Sequence, residues 1–244
     1  EGGAYAEVAE AIRSGLARDS GERFRVAIMD AGSVTGALES DPATLVVTVG
    51  MRAASAVQEI APRTPVLYTL VPKAALDRLL ATQKGSAKRS GIYLDQPLER
   101  QLELIKLIIP AATRVGVIFG PDSVKQTSAL ETAASSIGLK VEAEAVTGSE
   151  QVAVALRRVL ERGEVLLGLP DPEVFNQATV HNLLLAAYRA GDPVFAFSPA
   201  YIKAGALAGV FSSSGQIGMQ AAEMVAKLAS QAAWPEPQYP KYFT

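Results

Sequence analysis

Short, continuous runs of Val, Ile, Leu and Phe alternate along this chain with longer stretches whose apolar residues recur at the helical period. That alternation is the strongest constraint on what it can fold into. A strand that is apolar at every position must be covered on both faces, and a helix between successive strands returns the chain so that they run parallel. The strand runs are 24–29, 45–49 (LVVTV), 65–70 (PVLYTL), 91–94, 114–119 (RVGVIF), 140–146, 165–169, 193–197 (PVFAF) and 207–211 (LAGVF). The first helix carries Ala6, Val8, Ala9, Ile12 and Leu16 on one face, and others are expected over 52–60 and after Pro72. The spacing further predicts helices over 98–109 (stopped by Pro110), 123–137 (closed by Gly138), 149–161, 174–190 (ending at Gly191) and 216–229. The fold class is therefore expected to be α/β with parallel sheets.

A chain of 244 residues, 49% of them apolar, is long enough for one large domain or for two lobes that each bury a core. Cysteine is absent, which removes disulfides, thiolate metal sites and cysteine nucleophiles. The only histidine is His181, placed inside a helical pattern, so a multi-histidine metal site is excluded and a catalytic triad would have to use that one residue. With 23 basic against 25 acidic residues there is no electrostatic footprint for nucleic acid or an anionic membrane. The most apolar stretches, 102–110 and 165–170, fall far short of the ~20 residues that span a bilayer. The chain opens at Glu1, directly into a helical pattern, and reads as a processed or trimmed product. Its end, WPEPQYPKYFT, reads as an extended crossover, and the clearest shift in composition lies at 93–97 (YLDQP).

In open α/β sheets ligands bind beyond the carboxyl ends of the strands, where helix N-termini present free N–H groups. The residues there are Gly50, Met51 and Arg52, then Thr69, Leu70, Val71 and Pro72, then Tyr93 to Gln96, and Gly120 to Asp122. Asp171, Phe197 and Ser198, and Ser212 to Ser214 complete the set. It is rich in aromatics, hydroxyls and isolated carboxylates, and it lacks the nucleophile with an adjacent acid–base pair that a hydrolase or transferase needs. The glycines of GVIFG at 116–120 match neither dinucleotide nor P-loop spacing, so no nucleotide, organic cofactor or metal is expected.

Three stretches, TPVLYTLVPK, SGIYLDQPLERQLELIKLIIPAATRVGVIFGP and PVFAFSPAYIKAGALAGVFSSSGQIGMQAAEMVAKL, resemble the ABC-transporter substrate-binding family related to tryptophan- and tyrosine-binding proteins. The likeness covers roughly residues 45 to 230. The resemblance implies a type I periplasmic-binding-protein fold with two Rossmann-like lobes, a ligand held between them, and an ABC permease as membrane partner. It implies lobe one at 1–95 plus 215–231, lobe two at 96–213 plus 235–244, and crossovers near 95–97, 213–215 and 232–235. A monomer, either periplasmic or an extracytoplasmic lipoprotein, with its signal segment not in this chain, is the form expected. Two departures stand out. Family members usually begin with a strand where this chain begins with a helix, so lobe one is expected to lack its first strand. A small hydroxyl residue is also common where this chain has Met51 and Arg52.

Each candidate has two roles open to it. Arg52 either clamps a ligand carboxylate with its planar fork or is solvated on the first turn of its helix. Asp171 pairs with a ligand ammonium, caps the helix that Pro172 begins, or does both. Tyr68 and Phe119 are expected in the core, whereas Tyr93 and Phe197, nearer strand ends, are expected to clamp a flat or apolar ligand. Asp95 and Gln96, in the first crossover, either bond ligand, with Asp95 or Asp171 meeting its ammonium, or stabilise the hinge, and one of Ser198 and Ser212 to Ser214 is expected to touch ligand. Glu99 and Glu103 form a solvated helix face. The leading reading is a solute-binding protein of an importer with an aromatic or branched amino acid as ligand, its lobe closure read by the permease. A sensor of the same fold that signals to a partner protein is the alternative. An enzyme using Asp95, Asp122 or Asp171 is the third.

Overall fold

A computed structural model describes residues 2–20, 24–40, 43–60, 63–82, 87–228 and 234–244. Among them the elements run α1 (Gly2–Ser20), α2 (Val34–Ser40), β1 (Val46–Val49), α3 (Met51–Ile60), β2 (Val66–Val71), α4 (Lys73–Ala81) and β3 (Arg89–Tyr93). There follow α5 (Leu98–Ile108), β4 (Arg114–Phe119), α6 (Thr127–Ser136), β5 (Lys140–Ala145), α7 (Val152–Leu160) and β6 (Val165–Leu167). The last are α8 (Val180–Ala190), β7 (Val194–Ala196), α9 (Pro199–Ala204), β8 (Ala208–Gly209) and α10 (Ser214–Leu228). The chain divides into two compact units, Glu1–Asp95 with Ser212–Thr244, and Gln96–Phe211.

The first unit is built on a parallel sheet in the order β1-β2-β3. Alternation along β2 sends Leu67 to one face, where it joins Val8, Ile12 and Leu16 of α1 and Ile217 of α10. Val66 and Tyr68 go to the other, among Ala54, Val57 and Leu76 of α3 and α4. The second unit repeats the design on five parallel strands in the order β5-β4-β6-β7-β8. Val115, Val117, Phe119 and Leu167 pack against Leu102, Ile105 and Leu130 of α5 and α6, while Ile118, Leu166 and Val194 pack against Leu156, Val159 and Leu183 of α7 and α8. Burial of each such side chain contributes about 1.5–3 kcal/mol, which is why uninterrupted apolar strands end up between two helical layers. Tyr68 and Phe119 lie in these cores, as expected. The edge strand β5 (KVEAEA) is guarded by charge, with Lys140 on Glu142 at 2.7 Å and Glu144 between Arg158 and Arg162.

Four expectations are corrected. Residues 24–29 form no strand: Phe24 and Val26 pack against the α1–α10 core, but the segment joins no ladder among the described residues. The helix expected over 174–190 starts only at Val180, because Asn176 and Thr179 tie up the preceding backbone. Asn176 Oδ1 accepts from the N–H groups of Ala178 and Thr179, and the Thr179 hydroxyl donates to the Val174 carbonyl. The strand expected over 207–211 shrinks to Ala208–Gly209. Finally, the tail placed with lobe two belongs to the first unit. Gln238 pairs with the outer edge of β3, its N–H donating to Gly91 and its carbonyl accepting from Tyr93 at 2.9 Å, so it satisfies an edge that would otherwise stand open. The crossover expected at 232–235 falls partly outside the described residues, as does the end of the last helix at 229.

Candidate functional site

In the first unit the order β1-β2-β3 makes neighbours of three strand-end loops, which carry Gly50 to Arg52, Leu70 and Val71, and Tyr93 to Asp95. They are stitched by backbone bonds from Gly50 N–H to the Thr69 carbonyl at 2.9 Å and from Leu94 N–H to the Val71 carbonyl at 3.0 Å. Gly50 turns the chain out of β1 at φ 84°, with the Tyr5 ring packed where a Cβ would sit. Leu70 is at φ 53°, the one left-handed non-glycine residue among those described. It lies in a register shift between Tyr68 and Val71, so the central strand holds a strained leucine near its C-terminal end, a conformation costing on the order of 1–2 kcal/mol. α3 then begins at Met51, and Met51 and Arg52 line a hollow of about 450 Å³ together with Ala31, Gly32, Ser55 and Ala56. Arg52 is exposed and has no hydrogen-bond or ion-pair partner among the described residues.

Tyr93 and Asp95 are held more tightly. The Tyr93 ring is buried, edge-on to Tyr239 at 5.2 Å, with the Lys73 ammonium 4.9 Å above it and its hydroxyl 3.3 Å from Asp77. Asp95 is buried too, and one of its oxygens accepts the N–H of Lys73, the first residue of α4, at 2.5 Å. Burial raises the Asp95 pKa above its ordinary value, against the opposing pull of that hydrogen bond. A carboxyl whose pKa is raised by folding binds its proton more tightly in the native state. Its contribution to stability is therefore greatest below the ordinary carboxylate range and is lost as pH rises through the raised value. Asp95→Asn keeps an oxygen for Lys73 and removes the titration. The variant is expected to gain on the wild type as pH rises above the ordinary carboxylate range of about 4, measured by urea unfolding. A stability difference that stays constant over that rise would show that Asp95 does not titrate this way.

Ser212 stands apart from those loops in its bonding, since its hydroxyl donates to the Tyr242 carbonyl at 2.6 Å and so anchors the tail. The Tyr242 hydroxyl in turn donates to Glu223 on α10 at 2.6 Å.

In the second unit β4, β6 and β7 are adjacent, which gathers Gly120, Asp171, Phe197 and Ser198. Asp171 is buried, and its two oxygens take four donors. Oδ2 accepts from the N–H groups of Asp122 (3.0 Å) and Ser123 (2.9 Å) and from the Ser123 hydroxyl (2.8 Å), while Oδ1 accepts from Glu173 N–H (3.0 Å). The carboxylate thus clasps the loop after β4 to the loop after β6. A Cβ on Gly120 would fall on Asp171 Oδ1, which explains the glycine. No helix starts at Pro172, so the expected capping role is replaced by this clasp and by a turn closed on Asp171's own carbonyl, which accepts from Phe175 N–H at 2.8 Å.

Phe197 is half-buried in an aromatic trio: its ring is 5.5 Å from Phe175 and 4.9 Å from Tyr201, and the Tyr201 hydroxyl donates to the Phe175 carbonyl. Burial raises the Tyr201 pKa, keeping that hydroxyl protonated. Lys73, Ser123, Phe175 and Tyr201 were not anticipated. The apolar period places Phe175 in a helix, and the signals for the other three, a residue following Pro72, a Ser near a strand end and PAYIKAG, are weak on their own. His181 is exposed in the first turn of α8. Among the described residues no group of three or more His, Asp or Glu could hold a metal ion, and no helix is long and apolar enough to cross a membrane.

Comparison with known proteins now bears on this arrangement. A search of curated proteins finds no match. Among solved structures, a ligand-free, open substrate-binding protein with adhesive properties from Clostridium difficile is similar with a TM-score of 0.72 at 21% identity, over 97% of this chain and 86% of that one. A conserved domain protein from Vibrio cholerae matches with a TM-score of 0.65 at 22% identity, over 100% and 87%. An ABC domain in complex with L-Trp from Streptococcus pneumoniae matches with a TM-score of 0.65 at 18% identity, over 98% and 85%. At these identities the likeness establishes the fold, which is of the periplasmic-binding-protein type. The family model described as ABC transporter substrate binding protein matches residues 29–233, most of the chain, and the protein therefore belongs to the ABC transporter substrate-binding family.

Proposed function

We propose that this chain captures a small solute of amino-acid size outside the cytoplasm and delivers it to the permease of an ABC importer, acting as a monomer and without catalysis. The observation that carries this reading is Arg52: a guanidinium without a partner among the described residues, at the N-terminus of α3, on the wall of a hollow, in a member of a solute-binding family. A planar cation beside free helix N–H groups suits a carboxylate. Asp95 is the proposed partner for the solute's ammonium, since a cation would offset the burial that raises its pKa. In the second unit Phe197, backed by Phe175 and Tyr201, offers an aromatic surface with Ser198 beside it, and Asp171 with Gly120 sets the loop rather than touching solute. Gly50, Met51, Leu70, Val71 and Tyr93 shape the strand-end loops of the first unit, and Ser212 holds the tail. Residues 95–97, 213–215 and 232–235 are proposed as hinges. The L-Trp carried by the pneumococcal relative supports an aromatic amino acid as the solute class.

Thermal unfolding against a panel of amino acids and small carboxylates at ~1 mM tests this directly. A solute bound with a dissociation constant of ~1 μM adds about 4 kcal/mol, a rise in midpoint on the order of 8 to 16 °C for a chain of this size. The expected result is a shift with one amino-acid class that Arg52→Ala reduces. A panel without any shift would refute the amino-acid reading.

A further inference from the structure

A second concavity lies in the second unit between α7 and α8, running from the strand-end side, where Ser149 and Thr179 line it, to the C-terminal ends of the two helices. Helices α7 and α8 each return the chain between parallel strands, so they run parallel and end on the same side. Between them is a trough of about 810 Å³. Leu156, Leu160 and Leu183 line it along its length together with the small side chains of Ala153, Ala186 and Ala190, and Val152, Thr179 and Asn182 line it nearer the helix N-termini. The 11 residues of α8 make it about 16 Å long.

Charge is distributed unevenly along it. Arg157 and Arg189 both stand in the last turns of their helices and line one end of the trough, while Glu150 lines the other. Glu161 lies one turn past Arg157, leaving the arginine end with an excess of one positive charge. The neighbouring arginines Arg158 and Arg162 are engaged by Glu144, at 3.4 and 2.5 Å. The guanidiniums of Arg157 and Arg189, by contrast, have no hydrogen-bond or ion-pair partner among the described residues. An apolar channel with two unpaired guanidiniums at one end matches a ligand with a single terminal anion and a long apolar body. A docked helix would instead need separate pockets for its spaced anchors, whereas this trough is one continuous hollow.

We propose that the α7–α8 trough binds a long-chain carboxylate, a free fatty acid, with its chain along Leu156, Leu160 and Leu183 and its carboxylate between Arg157 and Arg189. The proposal does not depend on the solute reading above, since no strand-end residue takes part.

Titration calorimetry of the full chain with dodecanoate below its micelle concentration tests it, with dodecyltrimethylammonium and butyrate as controls for charge and chain. Saturable binding of dodecanoate and neither control is expected. The double variant Arg157→Ala/Arg189→Ala should weaken it by about tenfold or more, and Ala186→Phe, which fills the trough from a half-exposed position, should abolish it without changing the circular dichroism melt. Binding should be unaffected by Arg52→Ala. Absence of binding, equal binding of the ammonium amphiphile, or undiminished affinity in the double variant would overturn the proposal. Binding of an acidic amphipathic peptide where dodecanoate fails would overturn it in favour of a protein partner.

Discussion

Asp171→Ala is expected to cost the second unit on the order of 5 kcal/mol, because it removes one acceptor from four donors at once. The side chain is buried, so the N–H groups of Asp122, Ser123 and Glu173 would lose their partners where water reaches poorly. Each unpaired buried donor costs about 1–3 kcal/mol. Asp171→Asn separates the clasp from charge: the amide oxygen can still face Asp122 and Ser123, but the NH₂ group would then confront Glu173 N–H. Its cost should be near half that of alanine. Urea unfolding gives both values, and amide hydrogen exchange at 122, 123 and 173 gives the local picture. Exchange there should quicken in the alanine variant well before the rest of the unit opens. A loss below about 1 kcal/mol for alanine would mean that the loops hold themselves and that Asp171 is free to meet a solute.

That clasp shows where reading the sequence stops. Asp171 and its position after a strand are visible in the sequence, and so is the preference of Asp for capping. Three of the four donors it serves lie 48 and 49 residues earlier, and nothing local marks Ser123 as one of them. The strands of the second sheet were legible because an uninterrupted run such as RVGVIF has one physical solution, burial on both sides. Residues 174–179 misled for the opposite reason. Val174 and Phe175 fit the apolar period of the helix that follows, yet Asn176 and Thr179 offer the backbone closer partners. Tyr93 and Ser212 share the first limitation. Their partners Tyr239 and Tyr242 come from a tail whose prolines speak for an extended course but not for the edge it joins. The first turn of α3, with Gly50, Met51 and Arg52, was legible as a strand-to-helix junction, and it is the part of the candidate site that the structure leaves open.

Gly218→Leu is the second substitution with a large expected effect, on the order of 4 kcal/mol against the first unit. α1 and α10 cross so closely that a Cβ on Gly218 would meet the Cβ of Ala11 and lie 2.8 Å from the Val8 carbonyl oxygen, while one on Gly15 would lie 2.7 Å from Ala222. Backbone, unlike a side-chain tip, has no rotamer by which to yield. Wedging the helices apart would lift Val8, Ile12 and Leu16 from the cluster they share with Leu67, Ile92 and Ile217, and with them one cover of the three-stranded sheet. Gly218→Ala sets two effects against each other. Alanine gains about 1 kcal/mol in helix propensity, whereas overpacking costs typically 1–3 kcal/mol, so a net loss of about 1 kcal/mol is expected. Adding Ala11→Gly removes the Cβ–Cβ clash but leaves the Val8 carbonyl, and should restore part of that loss. A double-mutant cycle by denaturant unfolding measures the coupling. Additive single and double variants would show that the two helices are not in contact at Gly218, and that α1 holds its place through its apolar face alone.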